Sequence, residues 1–361
     1  MTFRDLTNAL KALRSSRTAF GAFIILGMVM VAKRREKQDC TSDSTMALDD
    51  ENAPGLSKIE ALLKGPLNYD DPHLLEIIRK KYLIPPSAKS YDLMIDRKDY
   101  KAGVYNSYFE LEPSFVTLRD ILYKILKNVR DGFFVEAGAV DGEFLSNSLM
   151  IERRLKWKGL LVEADGDMFK KLLSRNRKAW ASHSCLALHS YPHREVFIKY
   201  SAKGDLIPGA SMFSRGHGVL APVEHLSPMR KVGANPENSD PLYDFVQCLP
   251  LASLLLALNV THVHFISLDV EGAEPAILDS LPWDVITVDV WLVEHISERE
   301  HPENYQYLPK DIQRSVAFTD NLVEAFMSRG YTLYPVSKER LKDNYIFIRK
   351  NSEIYENLNI L

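Results

Sequence analysis

Residues 133–142, Phe-Phe-Val-Glu-Ala-Gly-Ala-Val-Asp-Gly, place an acid and two glycines at the spacing E-x-G-x-x-x-G. The apolar run ending in Glu136 reads as a buried strand, and Gly138 and Gly142 as the turn after it. Glycine lets a backbone approach a ligand closely and takes φ > 0 without a Cβ penalty. The spacing is not the G-x-G-x-x-G of dinucleotide binders. An acid placed first suits a neutral or positively charged nucleoside better than a pyrophosphate. S-adenosylmethionine, with its ammonium and sulfonium groups, is such a ligand.

Three further acidic strand ends follow. Leu160-Leu161-Val162-Glu163 ends a second strand, where a carboxylate accepts two ribose hydroxyls. Asp165, two residues on, is the better helix cap. Ser267-Leu268-Asp269-Val270-Glu271-Gly272-Ala273-Glu274 brings Asp269 and Glu271 to the edge of a fourth strand, with Glu274 and Pro275 opening a helix. Val293-Glu294-His295 adds an acid and a base at the end of the next. Methylation of a hydroxyl uses a base near the attacking oxygen, and Asp269, Glu271 and His295 are the candidates. His262 and His264 share a strand face, yet two histidines alone do not make a metal site, and no metal is expected. His217, in Arg215-Gly216-His217-Gly218, reads as a solvated loop histidine.

Strand-like and helix-like runs alternate from residue 133 onward. Strands are expected at 133–137, 159–164, 182–188, 263–269, 285–293, 331–336 and 344–349, and helices at 145–156, 166–176, 250–258, 273–281 and 317–329. Such alternation predicts an α/β sheet with helices on both faces. The last two strands lack a helix between them and read as an antiparallel edge. Residues 190–245, rich in Pro, Gly, Ser and His, read as an insertion over the carboxyl ends of the strands, with one possible strand at 195–200. Residues 56–130 carry helical periodicity, clearest in Leu118, Ile121, Leu122, Ile125, Leu126 and Val129.

A net charge of −3 gives no electrostatic case for nucleic acid. The three cysteines, Cys40, Cys185 and Cys248, show no metal-ligand spacing. Cys185 and Cys248 lie in apolar strand-like runs, as buried small hydrophobes or as a disulfide in an oxidising compartment. Residues 1–18 form a basic tail, 19–32 a run of 14 apolar positions, and 33–55 a polar linker. A full span takes roughly 20 apolar residues. Arg14, Arg17, Lys33, Arg34 and Arg35 snorkel at its ends, which favours a signal-anchor over a cleaved signal peptide. The flanking basic residues are balanced and leave orientation open. One glycosylation sequon is present, Asn259-Val260-Thr261.

Phe134-Val135-Glu136-Ala137-Gly138-Ala139-Val140-Asp141-Gly142 resembles the first motif of the FkbM-type methyltransferase domain. Leu161-Val162-Glu163-Ala164-Asp165 is similar to its second-strand motif, and Leu268-Asp269-Val270-Glu271-Gly272-Ala273-Glu274 to its D-x-E-G-A-E signature. The likeness covers residues 131–350. It implies a class I, Rossmann-like methyltransferase sheet with helices on both faces, preceded by the helical region and the membrane segment. It further implies O-methyl transfer from S-adenosylmethionine to a hydroxyl-bearing acceptor, with Glu136, Gly138, Gly142 and Glu163 holding the cofactor. Glu136 stands where the wider family commonly has Asp. Glu143-Phe144-Leu145-Ser146-Asn147-Ser148 and the N-terminal segment resemble the Star-like branch. That branch implies a single-pass type II membrane protein of the endoplasmic reticulum, Golgi and endosomes, with a membrane-bound growth-factor precursor as partner. Two readings stand: a membrane-anchored methyltransferase, and a non-catalytic trafficking factor that keeps the fold.

Overall fold

A computed structural model describes residues 67–96, 113–202, 218–221, 239–294, 322–336 and 344–358, all within the unit Pro54–Leu361. The expected membrane segment 19–32 and His217 lie outside these residues; among those described, no helix is long and apolar enough to cross a membrane.

Strands β1 (Phe133–Ala137), β2 (Lys158–Glu163), β3 (Trp180–His183), β8 (His262–Leu268), β9 (Thr287–Glu294), β10 (Tyr331–Leu333) and β11 (Asn344–Arg349) form one sheet in the order β10-β11-β9-β8-β1-β2-β3. The five strands from β9 to β3 are parallel, and β11 runs antiparallel to both β9 and β10. The expected antiparallel pair is therefore present, with β11 inserted one strand in from the edge. The chain steps outward from β1 to β3 and returns to place β8 on the other side of β1. The resulting switch point lies at the carboxyl ends of β1 and β8, where open α/β sheets bind ligands.

Side-chain alternation splits the core into two faces. Val135, Val162, Ile266, Leu268 and Trp291 pack on one, and Phe134, Leu161, Phe265, Val290 and Leu292 on the other. The helical stretch before β1 packs directly on these faces. Helix α1 (Pro72–Ile77), capped by Asp71 and started by a proline, buries Leu74 and Ile77 on the first. Helix α2 (Pro113–Leu126) buries Leu118, Leu122, Ile125 and Leu126 on the second. Helices α3 (Gly166–Ser174), α4 (Leu251–Ala257), α5 (Glu274–Ser280), α6 (Leu322–Ser328) and α7 (Glu353–Asn357) follow.

Two expectations are corrected. The helix expected at 145–156 begins late: residues 149–155 are helical, the turn at Ile151–Leu155 being of π type, after an irregular loop. Leu145 has φ 50°, and the Asn147 N–H goes to the Glu136 carboxylate rather than to a helical carbonyl. In the insertion, the strand expected at 195–200 is present and belongs to a second sheet, while residues 203–217 and 222–238 lie outside those described. Strands β4 (Cys185–Leu186), β5 (His193–Ala202), β6 (Val219–Ala221) and β7 (Ser239–Leu249) pair in the order β4-β7-β5-β6. The strand expected at 182–188 divides at Ser184 because the chain there leaves the first sheet to join the second. Cys185 is opposite Cys248 across the β4–β7 pair, and the two form a disulfide.

Candidate active site

A cleft enclosing about 550 Å³ lies between the switch point and the second sheet. Its floor is made by Ala137, Gly138, Val162 and Glu163 from the ends of β1 and β2. Asp269, Val270 and Glu271 close it on the β8 side, and Cys185, Phe197 and Leu220 of the second sheet face them.

The glycine turn is fixed from both sides. Gly138 has φ +83°, and the N–H groups of Gly138 and Ala139 both donate to the Val162 carbonyl at 3.1 Å. Val140 has φ 47°, a costly conformation for a β-branched residue. Its N–H donates to Glu163 Oε2 at 2.6 Å, while Asp165 N–H donates to Oε1 at 2.6 Å. The Ala164 N–H acts on the same carboxylate, so three backbone donors converge on Glu163. Burial pushes the Glu163 carboxyl up to about 8, against the pull of those backbone donors.

Glu136 is buried and does not line the cleft. Its Oε1 accepts from Asn147 N at 2.6 Å, and its Oε2 from the hydroxyls of Ser146 at 2.8 Å and Ser148 at 2.5 Å. It is turned onto the loop that follows the glycines. That loop is locked by two arginines which the sequence reading missed. Arg175 donates to Asp141 and lies 3.3 Å from Glu143, whose oxygens accept from Met94 N and Ile95 N at 2.8 Å. Arg177 donates to the Gly142 carbonyl, to Ser148 Oγ at 2.9 Å and to Glu152 at 3.0 Å. Arg177, Glu152 and Asp141 are almost completely buried, so these charges persist only because each is paired. The available signal was Arg175-Asn176-Arg177 following an amphipathic helix, two charges aimed back at an acidic loop.

Asp269, Glu271 and Glu294 converge at the other end of the cleft, with one carboxylate oxygen of each within 4.8 Å of the others. Burial, with the neighbouring acids adding to it, pushes Asp269 up to about 7; a hydrogen bond with Glu294 opposes the shift. Burial followed by repulsion from Glu294 and Glu274 holds Glu271 well above the carboxylate range. Crowded acids of this kind share protons near neutral pH and suit proton acceptance from a substrate hydroxyl. Glu274 has a different role: its oxygens accept from Val270 N at 2.7 Å and Gly272 N at 3.0 Å, tying the loop to the start of α5. His295 lies outside the described residues.

At the opposite end of the sheet, His262, His264 and Asp289 also converge. Asp289 is held by Arg349 at 2.7 Å and by His262 at 2.8 Å. His264 Nδ1 accepts from Phe133 N at 3.0 Å, which puts the proton of the neutral ring on Nε2 and leaves no lone pair there for a metal.

The model of the FkbM methyltransferase domain matches residues 136–332, more than half of the chain. None of the curated proteins matches. Among solved structures, the FkbM methyltransferase of Methylobacillus flagellatus KT is 13% identical with a TM-score of 0.32; the match covers 69% of this chain and 62% of that one. The geranyl diphosphate C-methyltransferase of Streptomyces coelicolor A3(2), solved with Mg2+, geranyl diphosphate and S-adenosyl-L-homocysteine, is 11% identical with a TM-score of 0.30, covering 79% and 98%. The family rests on the domain match. With the E-x-G-x-x-x-G turn, the Glu163 strand end and the Asp269–Glu274 signature all gathered around one cleft, the chain belongs to the FkbM methyltransferase family.

Proposed function

We propose that the cleft binds S-adenosylmethionine and that the protein methylates a hydroxyl of its acceptor. The observation carrying this reading is the juxtaposition of the Gly138 turn, Glu163 and the acidic trio along one cleft. A side chain at position 138 would fill the cradle, since its Cβ would fall 1.9 Å from the Asp269 carbonyl oxygen. The cofactor, when bound, supplies the methyl group on its sulfonium. Glu163 would accept from the ribose, and the turn from Gly138 to Gly142 would let the backbone approach the cofactor closely. Phe197 and Leu220 form an apolar wall of the cleft that would suit the base. Glu136 acts at one remove, by fixing the loop at 146–148. Asp269 would take the proton of the acceptor hydroxyl, with Glu271 and His295 as further candidates.

Calorimetric titration tests this directly. The unmodified chain binds S-adenosylmethionine and shows a ligand-dependent thermal shift. Glu163→Ala removes the carboxyl that would meet the ribose hydroxyls and weakens binding by roughly 10- to 100-fold. Absence of both heat and shift at millimolar ligand removes the methyltransferase reading.

One observation favours a secretory setting. The Cys185–Cys248 disulfide belongs to an oxidising compartment. It supports residues 19–32 as a signal-anchor, with the domain on the lumenal side of endoplasmic reticulum, Golgi or endosomal membranes. A trafficking role towards a membrane-bound growth-factor precursor is the second reading, and it uses the same fold.

A further inference from the structure

We infer that Asn259 is an N-glycosylation site. Asn259-Val260-Thr261 is the one Asn-x-Ser/Thr sequon in the chain. The sequon alone says little, because many sequons are buried or reside in the cytosol. Here Asn259 and Thr261 are both exposed, in the turn that closes α4 and opens β8. Asn259 has φ 57° and donates its N–H to the Leu256 carbonyl at 3.0 Å, while Val260 N reaches the Leu255 carbonyl at 2.9 Å. This is the left-handed helix stop that asparagine tolerates, and it leaves the side-chain amide outside the fold. The turn sits at the amino end of β8, whose seven residues span about 23 Å before Asp269 follows at its carboxyl end. A glycan there leaves the cleft open. The disulfide is the independent support, since it belongs to the same compartment as the glycosylation machinery.

The transfer joins Asn259 Nδ2 to the anomeric carbon of the first sugar. It breaks that carbon's bond to a lipid-linked pyrophosphate, releasing the lipid pyrophosphate and one amide proton. The inference rests on the lumenal placement proposed above and is independent of methyl transfer. The full chain, expressed in animal cells, should migrate as a single glycoform that glycosidase F converts to a faster band. Asn259→Gln and Thr261→Ala should abolish the shift, and Thr261→Ser should keep it. A wild-type chain unaffected by the glycosidase, or a shift that survives Asn259→Gln, overturns the inference; cofactor titration reports separately on the enzyme.

Separate contacts carry a second inference, which rests on the cofactor reading: we infer that Lys199 is a positioning residue for Glu163. Lys199 is buried on the face of β5 that also presents Phe197 to the cleft. Its Nζ lies 3.3 Å from Asp165, 3.4 Å from Asp167 and 2.5 Å from Asp244. Asp165 caps α3 and gives its own N–H to Glu163 Oε1. One ammonium thus fastens the second sheet to the backbone that aims the ribose carboxylate.

The test is a double-mutant cycle read by calorimetry. Lys199→Met should raise Kd about tenfold, equally for S-adenosylmethionine and S-adenosylhomocysteine, because the contact is at the ribose end. Lys199→Arg, which keeps the charge, should recover most of the loss. In a Glu163→Gln background, Lys199→Met should cost little more. An unchanged Kd in Lys199→Met, or the same loss with and without Glu163, overturns the inference while wild-type binding leaves the cofactor reading standing. If Lys199→Met does not fold, Asp244→Asn replaces it, with a smaller loss that must also vanish in the Glu163→Gln background. A wild-type chain that binds neither ligand ends both readings.

Discussion

Gly138→Ala abolishes cofactor binding and destabilises the domain by about 3–5 kcal/mol, combining overpacking with a left-handed backbone. Position 138 has φ +83°, and the new methyl carbon would fall 1.9 Å from the carbonyl oxygen of Asp269 and 3.1 Å from its carbonyl carbon. The neighbour is backbone, held by the bond from Asp269 N to the Ala137 carbonyl, so no side chain can rotate away. Relief requires the carboxyl ends of β1 and β8 to separate. That separation moves the glycine turn and the acidic trio relative to each other, and both ends of the cleft depend on their spacing. Gly142→Ala is the matched comparison. Its φ of +76° carries the same conformational cost, but its nearest neighbour is Leu172 Cγ at 3.0 Å, a side chain that need give by only a few tenths of an ångström. The expected order in chemical denaturation is wild type, then Gly142→Ala about 1–2 kcal/mol lower, then Gly138→Ala well below both. Equal losses for the two variants would mean that the strand ends are not close-packed at Asp269.

This contrast also marks what the sequence made legible. Strand ends are readable because a run of apolar residues must stop where the sheet stops, so Glu136, Glu163 and Asp269 were placed at carboxyl edges from pattern alone. The direction in which each side chain turns was not readable. Glu136 and Glu163 look alike as strand-end acids, yet one is consumed by Ser146, Asn147 and Ser148 while the other lines the cleft. Alternation does not decide this, because Glu136 follows Phe134 and Glu163 follows Leu161 onto the same sheet face; the difference lies in the loop after the glycines, which brings Ser146, Asn147 and Ser148 onto Glu136. The second sheet was hidden for another reason. Strands β5 and β7 pair over ten residues although about forty separate them in sequence, and no local signal reports so distant a partner. The Pro, Gly and Ser content between them described the connection, not the pairing. Lys199 and Arg177 were invisible for the same reason, because a buried cation is explained only by acids that come from other elements.

Reduction of the Cys185–Cys248 disulfide, or its replacement by alanines, lowers stability by about 4 kcal/mol, the chain-entropy value for a sequence separation of 63. The consequence for the cleft is more specific than that number. Strand β4 pairs with β7 through two residues only, Cys185 with Cys248 and Leu186 with Leu249. The disulfide is therefore a principal tie at the point where the chain leaves the first sheet for the second. Cys185 itself lines the cleft beside Ser184 and Ala164, one residue beyond the bond from Ser184 N to the Glu163 carbonyl. Loosening that tie lets the apolar wall move against the ribose side, so cofactor affinity should fall before the main sheet unfolds. Denaturant titration of the purified chain, with and without a dithiol reductant, should resolve the two effects. Under oxidising conditions a single transition is expected. With reductant, affinity should drop at denaturant concentrations that leave the signal of buried Trp157 and Trp291 intact. Identical curves in both conditions would show that the sulfurs are not joined in solution. They would also remove the main physical support for placing the domain in an oxidising compartment, because the remaining core is equally compatible with the cytosol.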